Sequence, residues 1–239
     1  MSKFKYEKLA YQRRYAKVYE AGAPFWEEPA PTKELVMYIH QMHFPRGTNA
    51  IEFGCGEGRD SIFLAKQSFK VAAIDVASSA VKRAKQRAAE EDVSIDFAVA
   101  DATDLGCFKS STYDLAVSIG YLHMVIDEKD RQKHLSETLR LLKRGGFYFS
   151  CNIGGEKRVR LGDIYRKAPT PGDLTPRKII VGGGEEKEIS LPIIAAWPKS
   201  GQQYKEEFET AGFKIMKMFQ RVTRPLGSCW IIAAQKPAK

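Results

Sequence analysis

From about residue 48 to about residue 152, short apolar runs alternate with amphipathic stretches, the order expected of βα units that build a parallel sheet. NAIEF (Asn49 to Phe53) reads as a buried strand, GCGEG as a turn, and Arg59 to Gln67 as a helix that buries Ile62, Phe63 and Ala65. FKVAAID supplies a second strand. Ser78 can then cap a helix whose Ala80, Val81, Ala84 and Ala88 share one face, with lysines and arginines opposite. IDFAVAD reads as a third strand and YDLAVSIG as a fourth. Asp127 can cap the next helix, which turns Leu135, Leu139 and Leu142 inward, and Gly145 and Gly146 lead into a fifth strand, FYFSCN.

Beyond Ile153 the periodicity fails until about Ser200, and prolines and glycines accumulate. Within this stretch RKIIV and EISLPIIAAW flank a GGG turn like the arms of a hairpin. YKEEFETAGF then predicts a helix closed by Gly212, and FKIMKMF and SCWIIAAQ predict two final strands, antiparallel neighbours. The expected organisation is one domain over residues 1–239. It comprises an N-terminal lid and helix (1–47), a doubly wound α/β core (48–152), an inserted cap (153–200) and a C-terminal helix with a strand pair (201–239).

Composition narrows the setting more than the chemistry. The 239 residues are 44% hydrophobic, and no apolar run approaches the roughly 20 residues of a membrane helix, so a soluble protein without a membrane partner is expected. The N-terminus, MSKFKYEKLAYQRRYAKVYE, lacks the apolar stretch of a secretory signal, which points to the cytoplasm. Cys55, Cys107, Cys151 and Cys229 form no CxxC pair and no histidines cluster, so neither a metal site nor a disulfide framework is expected. A net charge of +9 favours anionic partners, nucleic acid among them. Basic residues are nevertheless mixed with acids, as in KRAKQRAAEED, and no basic run is interleaved with aromatics; solvated helix faces account for them better. Nothing in the sequence sets the oligomeric state.

The candidate chemistry gathers at IEFGCGEG, where the first strand passes into a helix. Glu52 precedes Gly54, Gly56 and Gly58 in a GxGxG spacing, and Arg59 stands where a dinucleotide fingerprint would place its third glycine. Asp75 ends the second strand about 20 residues on, where a carboxylate can accept both ribose hydroxyls. Asp101 and Ala102 follow the third strand. In this order the residues resemble the class I S-adenosylmethionine-dependent methyltransferases, over roughly residues 48–152 and the tail. The GEGRDS stretch is similar to loops of tellurite-resistance and thiopurine-like small-molecule methyltransferases. That resemblance implies a Rossmann-like, seven-stranded doubly wound sheet with its last strand antiparallel, and S-adenosylmethionine as cofactor. It implies further that Gly54, Cys55, Gly56 and Gly58 pass beneath the cofactor. Glu52 would face its ammonium, Arg59 its carboxylate, Asp75 and Val76 the ribose side, and Asp101 and Ala102 the adenine.

Methyl transfer from a sulfonium needs alignment more than covalent help, so no triad is expected. The substrate-side candidates follow the fourth strand in SIGYLHMV: Ser118, lining the cofactor, with Tyr121 and His123. His123 resembles the histidine of an LHH-like segment frequent in the family, as a general base or an orienting group. Tyr15 and Tyr19, on a tyrosine stripe begun by Tyr11, would form a lid with Trp26; Tyr165 and Trp197 would belong to the cap. The favoured acceptor is a small molecule. The competing readings are an RNA or protein methyltransferase, a noncatalytic S-adenosylmethionine-binding protein and, poorest in fit, an NAD-dependent oxidoreductase. Against a base-flipping enzyme stands SIGYLH, where an N-P-P-Y-like signature would be.

Overall fold

The computed structural model describes residues 8–25, 30–160, 172–224 and 226–238. Its centre is β1 (Asn49–Phe53), buried because a parallel strand lies on each side: β2 (Lys70–Asp75) and β4 (Tyr113–Ile119). Strand β3 (Asp96–Val99) closes one edge beside β2, and β5 (Leu142–Gly155) follows β4. On the far side β10 (Gly227–Gln235) runs antiparallel to β5 and pairs with β9 (Lys214–Thr223), giving the order β3-β2-β1-β4-β5-β10-β9. A two-residue strand, β8 (Lys199–Ser200), adds to the end of β5. The expected doubly wound sheet and its antiparallel terminal strand are present.

Side-chain alternation sends successive residues to opposite faces, and each face carries helices. Ile51, Phe53 and Ala116 pack on one side with Leu135 and Leu141 of α5 (Glu128–Leu141) and Phe208 of the C-terminal helix Gly201–Thr210. Ala50, Leu115 and Val117 pack on the other with Leu35 and Ile39 of α2 (Lys33–Met42) and Leu64 of α3 (Arg59–Lys66). A third cluster lies outside the sheet. There α1 (Lys8–Glu20) buries Tyr15 and Val18 between Ala77 and Ala80, at the start of α4 (Ser78–Glu90), and Ile179 and Leu191 of a hairpin made by β6 (Leu174–Ile180) and β7 (Glu186–Pro192).

Four local expectations are corrected. Ser78 is the first residue of α4 and caps nothing; the amide before it, at Ala77, is taken by the Asp75 carboxylate at 2.8 Å. Leu142 is buried from β5 rather than from α5, since the strand begins before Gly145 and Gly146 and pairs Leu142 with Tyr113. In α3 the buried apolar residues are Ile62, as expected, and Leu64, while Phe63 and Ala65 are half-buried. The hairpin's second arm ends at Pro192, so Ile193 to Trp197 leave the strand. Asp127 does cap α5, accepting from the Lys129 and Asp130 amides.

Candidate active site

Chain order reverses between β1 and β4, and at such a switch point a crevice opens beyond the carboxyl ends of the strands. The β1–α3 loop forms its floor. Gly54, Gly56 and Gly58 hold φ of 67°, 53° and 76°, a left-handed region that glycine enters without strain. Gly54 also lacks room for more: an added Cβ would stand 2.9 Å from the Tyr121 ring. At Gly58 it would meet Ala84 at 3.0 Å and Phe97 at 3.1 Å, so this glycine seats the start of α3 against α4 and β3.

Asp75 ties the loop to the end of β2. One carboxylate oxygen accepts from the Gly56 amide at 2.9 Å and the other from Ala77 at 2.8 Å. Burial raises its pKa, while these backbone donors pull the other way. Glu52 faces α3, where it accepts from the Ser61 hydroxyl; burial first, and then the charge of Asp60, push its carboxyl up to about 8. Asp60 accepts from the Thr32 amide at 2.6 Å and from Arg59 at 2.9 Å, and Arg59 donates again to the Thr32 hydroxyl at 2.7 Å. Glu57, equally buried, accepts from the Phe25 amide at 2.8 Å and lies 3.9 Å from Arg87. Four carboxyl groups therefore stand at this end against two arginines.

Above them is a cavity of about 430 Å³. Glu52, Gly54, Cys55, Gly56, Arg59, Asp75, Val76 and Ala102 line it, together with Tyr121 and His123 from the turn after β4 and Tyr15 from α1. Tyr11, Arg14 and Phe25 complete the α1 side; Thr175, Ile193 and Ile194 come from the hairpin and its exit, and Ile153 and Leu226 from the sheet's far side. Cys55 is a buried thiol whose pKa burial raises.

Five predicted residues lie off the cavity wall. Gly58 sits below it, as described. Asp101 folds its carboxylate onto Thr103, accepting from the amide at 2.9 Å and the hydroxyl at 2.8 Å, while Ala100 and Ala102 beside it reach the wall. Ser118 is a correction in kind: it shares the strand face of Ala116, is fully buried, and bonds Tyr148 and Ser150 beneath the site. Tyr19 packs on Tyr15 with ring centroids 5.9 Å apart. Trp197 donates to the Val159 carbonyl at 3.0 Å and carries the Lys199 ammonium 3.7 Å from its ring centroid. Trp26 and Tyr165 lie outside the described residues. Among the described residues there is no group of three or more His, Cys, Asp or Glu placed to hold a metal ion, and no helix is long and apolar enough to cross a membrane.

A family profile for a methyltransferase domain matches residues 50–146, from β1 to the start of β5. Over 181 residues, 72% of each chain, the sequence is 28% identical to the ubiquinone biosynthesis O-methyltransferase of Xanthomonas axonopodis pv. citri. A SAM-dependent methyltransferase of Methanosarcina mazei superposes with a TM-score of 0.65 at 22% identity, over 84% of this chain and 98% of that one. These matches support a class I S-adenosylmethionine-dependent methyltransferase, with the methyltransferase domain over residues 50–146. The methyltransferase fold is also shared with a 4+2 cyclase, at a TM-score of 0.70 and 15% identity over 99% and 97% of the two chains, a likeness of fold alone.

Two buried polar systems of this methyltransferase escaped the sequence reading. The first is a chain of hydrogen bonds beneath β4 and β5 whose direction is set by its ends. The Leu122 amide donates to Asn152 Oδ1 (2.9 Å), Asn152 Nδ2 to Ser150 Oγ (2.6 Å), Ser150 to Ser118 (3.0 Å), and Ser118 to the Tyr148 hydroxyl (2.8 Å). Tyr148 then donates to His134 Nε2 (3.1 Å), and His134 Nδ1 donates to the Ala102 carbonyl (2.8 Å). This order requires a neutral His134, and burial brings its pKa down to about 4. The second system centres on Arg131. Fully buried, it holds Glu207 through two bonds of 2.7 and 2.6 Å and donates to the carbonyls of Leu122 and Val125. Lys199 shares Glu207. Both systems grip the turn at Leu122–Met124 from below, which fixes how Tyr121 and His123 enter the cavity.

Proposed function

We propose that this methyltransferase moves a methyl group from S-adenosylmethionine to a small molecule held in the cavity between the β1–α3 loop and the turn after β4. The observation that carries the reading is how the cavity is built. Its loop end is acidic, its opposite walls are apolar, and α1 and the hairpin roof it, which suits a small acceptor better than a polymer.

The residues fit the cofactor. Asp75 is held by backbone amides, Gly56 and Ala77 among them, and still faces the cavity, where its carboxylate can accept from ribose hydroxyls. Asp60 offers negative charge to an ammonium, whose arrival would also draw the protonated Glu52 carboxyl toward its charged form; the Ala100 and Ala102 wall, with Asp101 behind it, would flank the adenine. Arg59 is engaged by Asp60 and Thr32, so its part in this reading is to hold Asp60 in place. When bound, S-adenosylmethionine supplies an electrophilic methyl on a sulfonium.

The chain's own groups orient the acceptor and keep water out. His123 is a poor base: burial and then the Arg131 charge bring its pKa down to about 3. Its Nδ1 accepts from the Ile153 amide at 3.4 Å, which leaves the ring proton on Nε2. It therefore serves as a neutral group that lines and orients the acceptor rather than as its base, and the nucleophile arrives as an ionised group or a free lone pair. Release of S-adenosylhomocysteine should be measured with a small-molecule library, total RNA and a ribosomal protein extract in parallel. Turnover with small molecules is expected, whereas label transferred only to RNA or protein contradicts the proposal.

A further inference from the structure

One cation of the cavity wall stands apart from the others. Arg59 and Arg87 each face a carboxylate, Asp60 at 2.9 Å and Glu57 at 3.9 Å. Arg14 reaches the cavity from α1 and, among the described residues, donates one hydrogen bond, from Nη1 to the Pro192 carbonyl oxygen, and pairs with no carboxylate. Behind it lies a second guanidinium. Arg177 of β6 donates to the Phe25 carbonyl at 2.7 Å and sits 4.8 Å from the centroid of the Phe25 ring, while Arg14 sits 5.9 Å from the same centroid. Burial and the neighbouring Arg177 charge both lower the pKa of Arg14.

Two half-buried guanidinium groups that share one aromatic ring repel each other and lose hydration, an arrangement that an arriving anion relieves. A guanidinium has five donors in a planar fork that matches a carboxylate, and Arg14 spends one of them on Pro192. The walls nearby are apolar: Phe25, Tyr121, Met124, Ile193, Ile194 and Leu226. The loop end, by contrast, already has carboxylates in excess of arginines, which suits the net positive charge of the cofactor.

We infer that Arg14, backed by Arg177, receives an anionic group of the carboxylate class on the methyl acceptor, which is therefore an apolar molecule carrying an acid. The inference rests on the methyl-transfer reading and names the acceptor class for that same cavity.

The test uses the full chain saturated with S-adenosylhomocysteine, titrated calorimetrically with benzoate, cinnamate and indole-3-acetate, each against its own carboxamide. The wild type should prefer at least one acid to its amide by about ten- to a hundredfold, the range of hydrogen bonds to a charged group. Arg14→Gln should erase that preference while leaving affinity for S-adenosylhomocysteine within about twofold, which also reports that the variant is folded. Arg14→Lys should keep part of it. No acid preferred over its amide in the loaded wild type, or a preference that survives in Arg14→Gln, overturns the inference. It fails as well if Arg14→Gln weakens S-adenosylhomocysteine but not its decarboxylated analogue, because the anion is then the cofactor's own. A wild-type chain that binds no S-adenosylhomocysteine removes the methyl-transfer reading itself, a result separable from the others.

Discussion

Replacing Asp75 by alanine probes the joint between the glycine loop and the cofactor. The carboxylate is held by backbone amides, Gly56 at 2.9 Å and Ala77 at 2.8 Å among them, and faces the cavity. A hydrogen bond from a hydroxyl to a buried carboxylate contributes about 1.5–3 kcal/mol. Two such bonds, less what an entering water restores, give a loss of about 2–3 kcal/mol, or roughly 30- to 150-fold in affinity for S-adenosylhomocysteine. Folding should change less. Two amides lose a partner, but the chain no longer holds a carboxylate whose charge burial disfavours, and these effects oppose each other. Titration calorimetry of the wild type and variant with S-adenosylhomocysteine and its 2′-deoxy analogue separates direct contact from loop disorder. If Asp75 takes the ribose hydroxyls, removing one from the ligand costs the wild type about 1–2 kcal/mol and the variant little. Equal losses in both proteins, or an unchanged affinity in a folded variant, would refute the assignment.

Three further perturbations follow from the geometry. Gly54→Ala forces a side chain into left-handed backbone, about 1–2 kcal/mol by itself, and onto the Tyr121 ring, so both the urea midpoint and the affinity for S-adenosylhomocysteine should fall; an unchanged pair contradicts the loop packing. Glu52, raised to about 8, keeps in the folded state a proton that the unfolded chain loses near 4.5, so its contribution to stability is present at low pH and lost as pH rises toward 8. Glu52→Gln should accordingly stabilise the ligand-free protein at pH 8 relative to the wild type, by an amount that shrinks toward pH 5, while weakening the cofactor; a stability difference that does not vary with pH contradicts the buried, protonated carboxyl. Glu207→Ala strips Arg131 and Lys199 of their shared carboxylate and should cost about 3–5 kcal/mol of stability in urea unfolding, against under 1 kcal/mol for a surface pair.

What the sequence disclosed and what it hid divide by distance along the chain. Buried parallel strands read as short apolar runs, so β1, β2 and β4, the loop between Phe53 and Arg59, and the acid ending β2 were legible from local pattern. Ser118 lies beneath the site rather than on its wall because of strand parity: in β4, Leu115 and Val117 share one face, while Ala116 and Ser118 share the other. Ser78 lost its expected cap because Asp75, three residues earlier, already bonds the amide that begins the turn. No local signal marks the pairing of Arg131 with Glu207, separated by 76 residues, or of Arg14 with Pro192, separated by 178. His134 is likewise a polar residue within a charged helix until the fold sets it between Tyr148 and Ala102. Residues such as Glu57 and Asp60 stood inside the quoted loop, yet only the arrival of Phe25 and Thr32 at their oxygens gives them a part in the site.

The most direct measurement is calorimetric titration of the purified chain with S-adenosylmethionine and S-adenosylhomocysteine, with NAD as the control. Micromolar, one-to-one binding of both methyl-cycle ligands and none of NAD is the expected result. A folded sample that binds NAD, or that is silent toward both methyl-cycle ligands, would contradict the assignment of the Gly54–Gly58 loop and Asp75 to this cofactor.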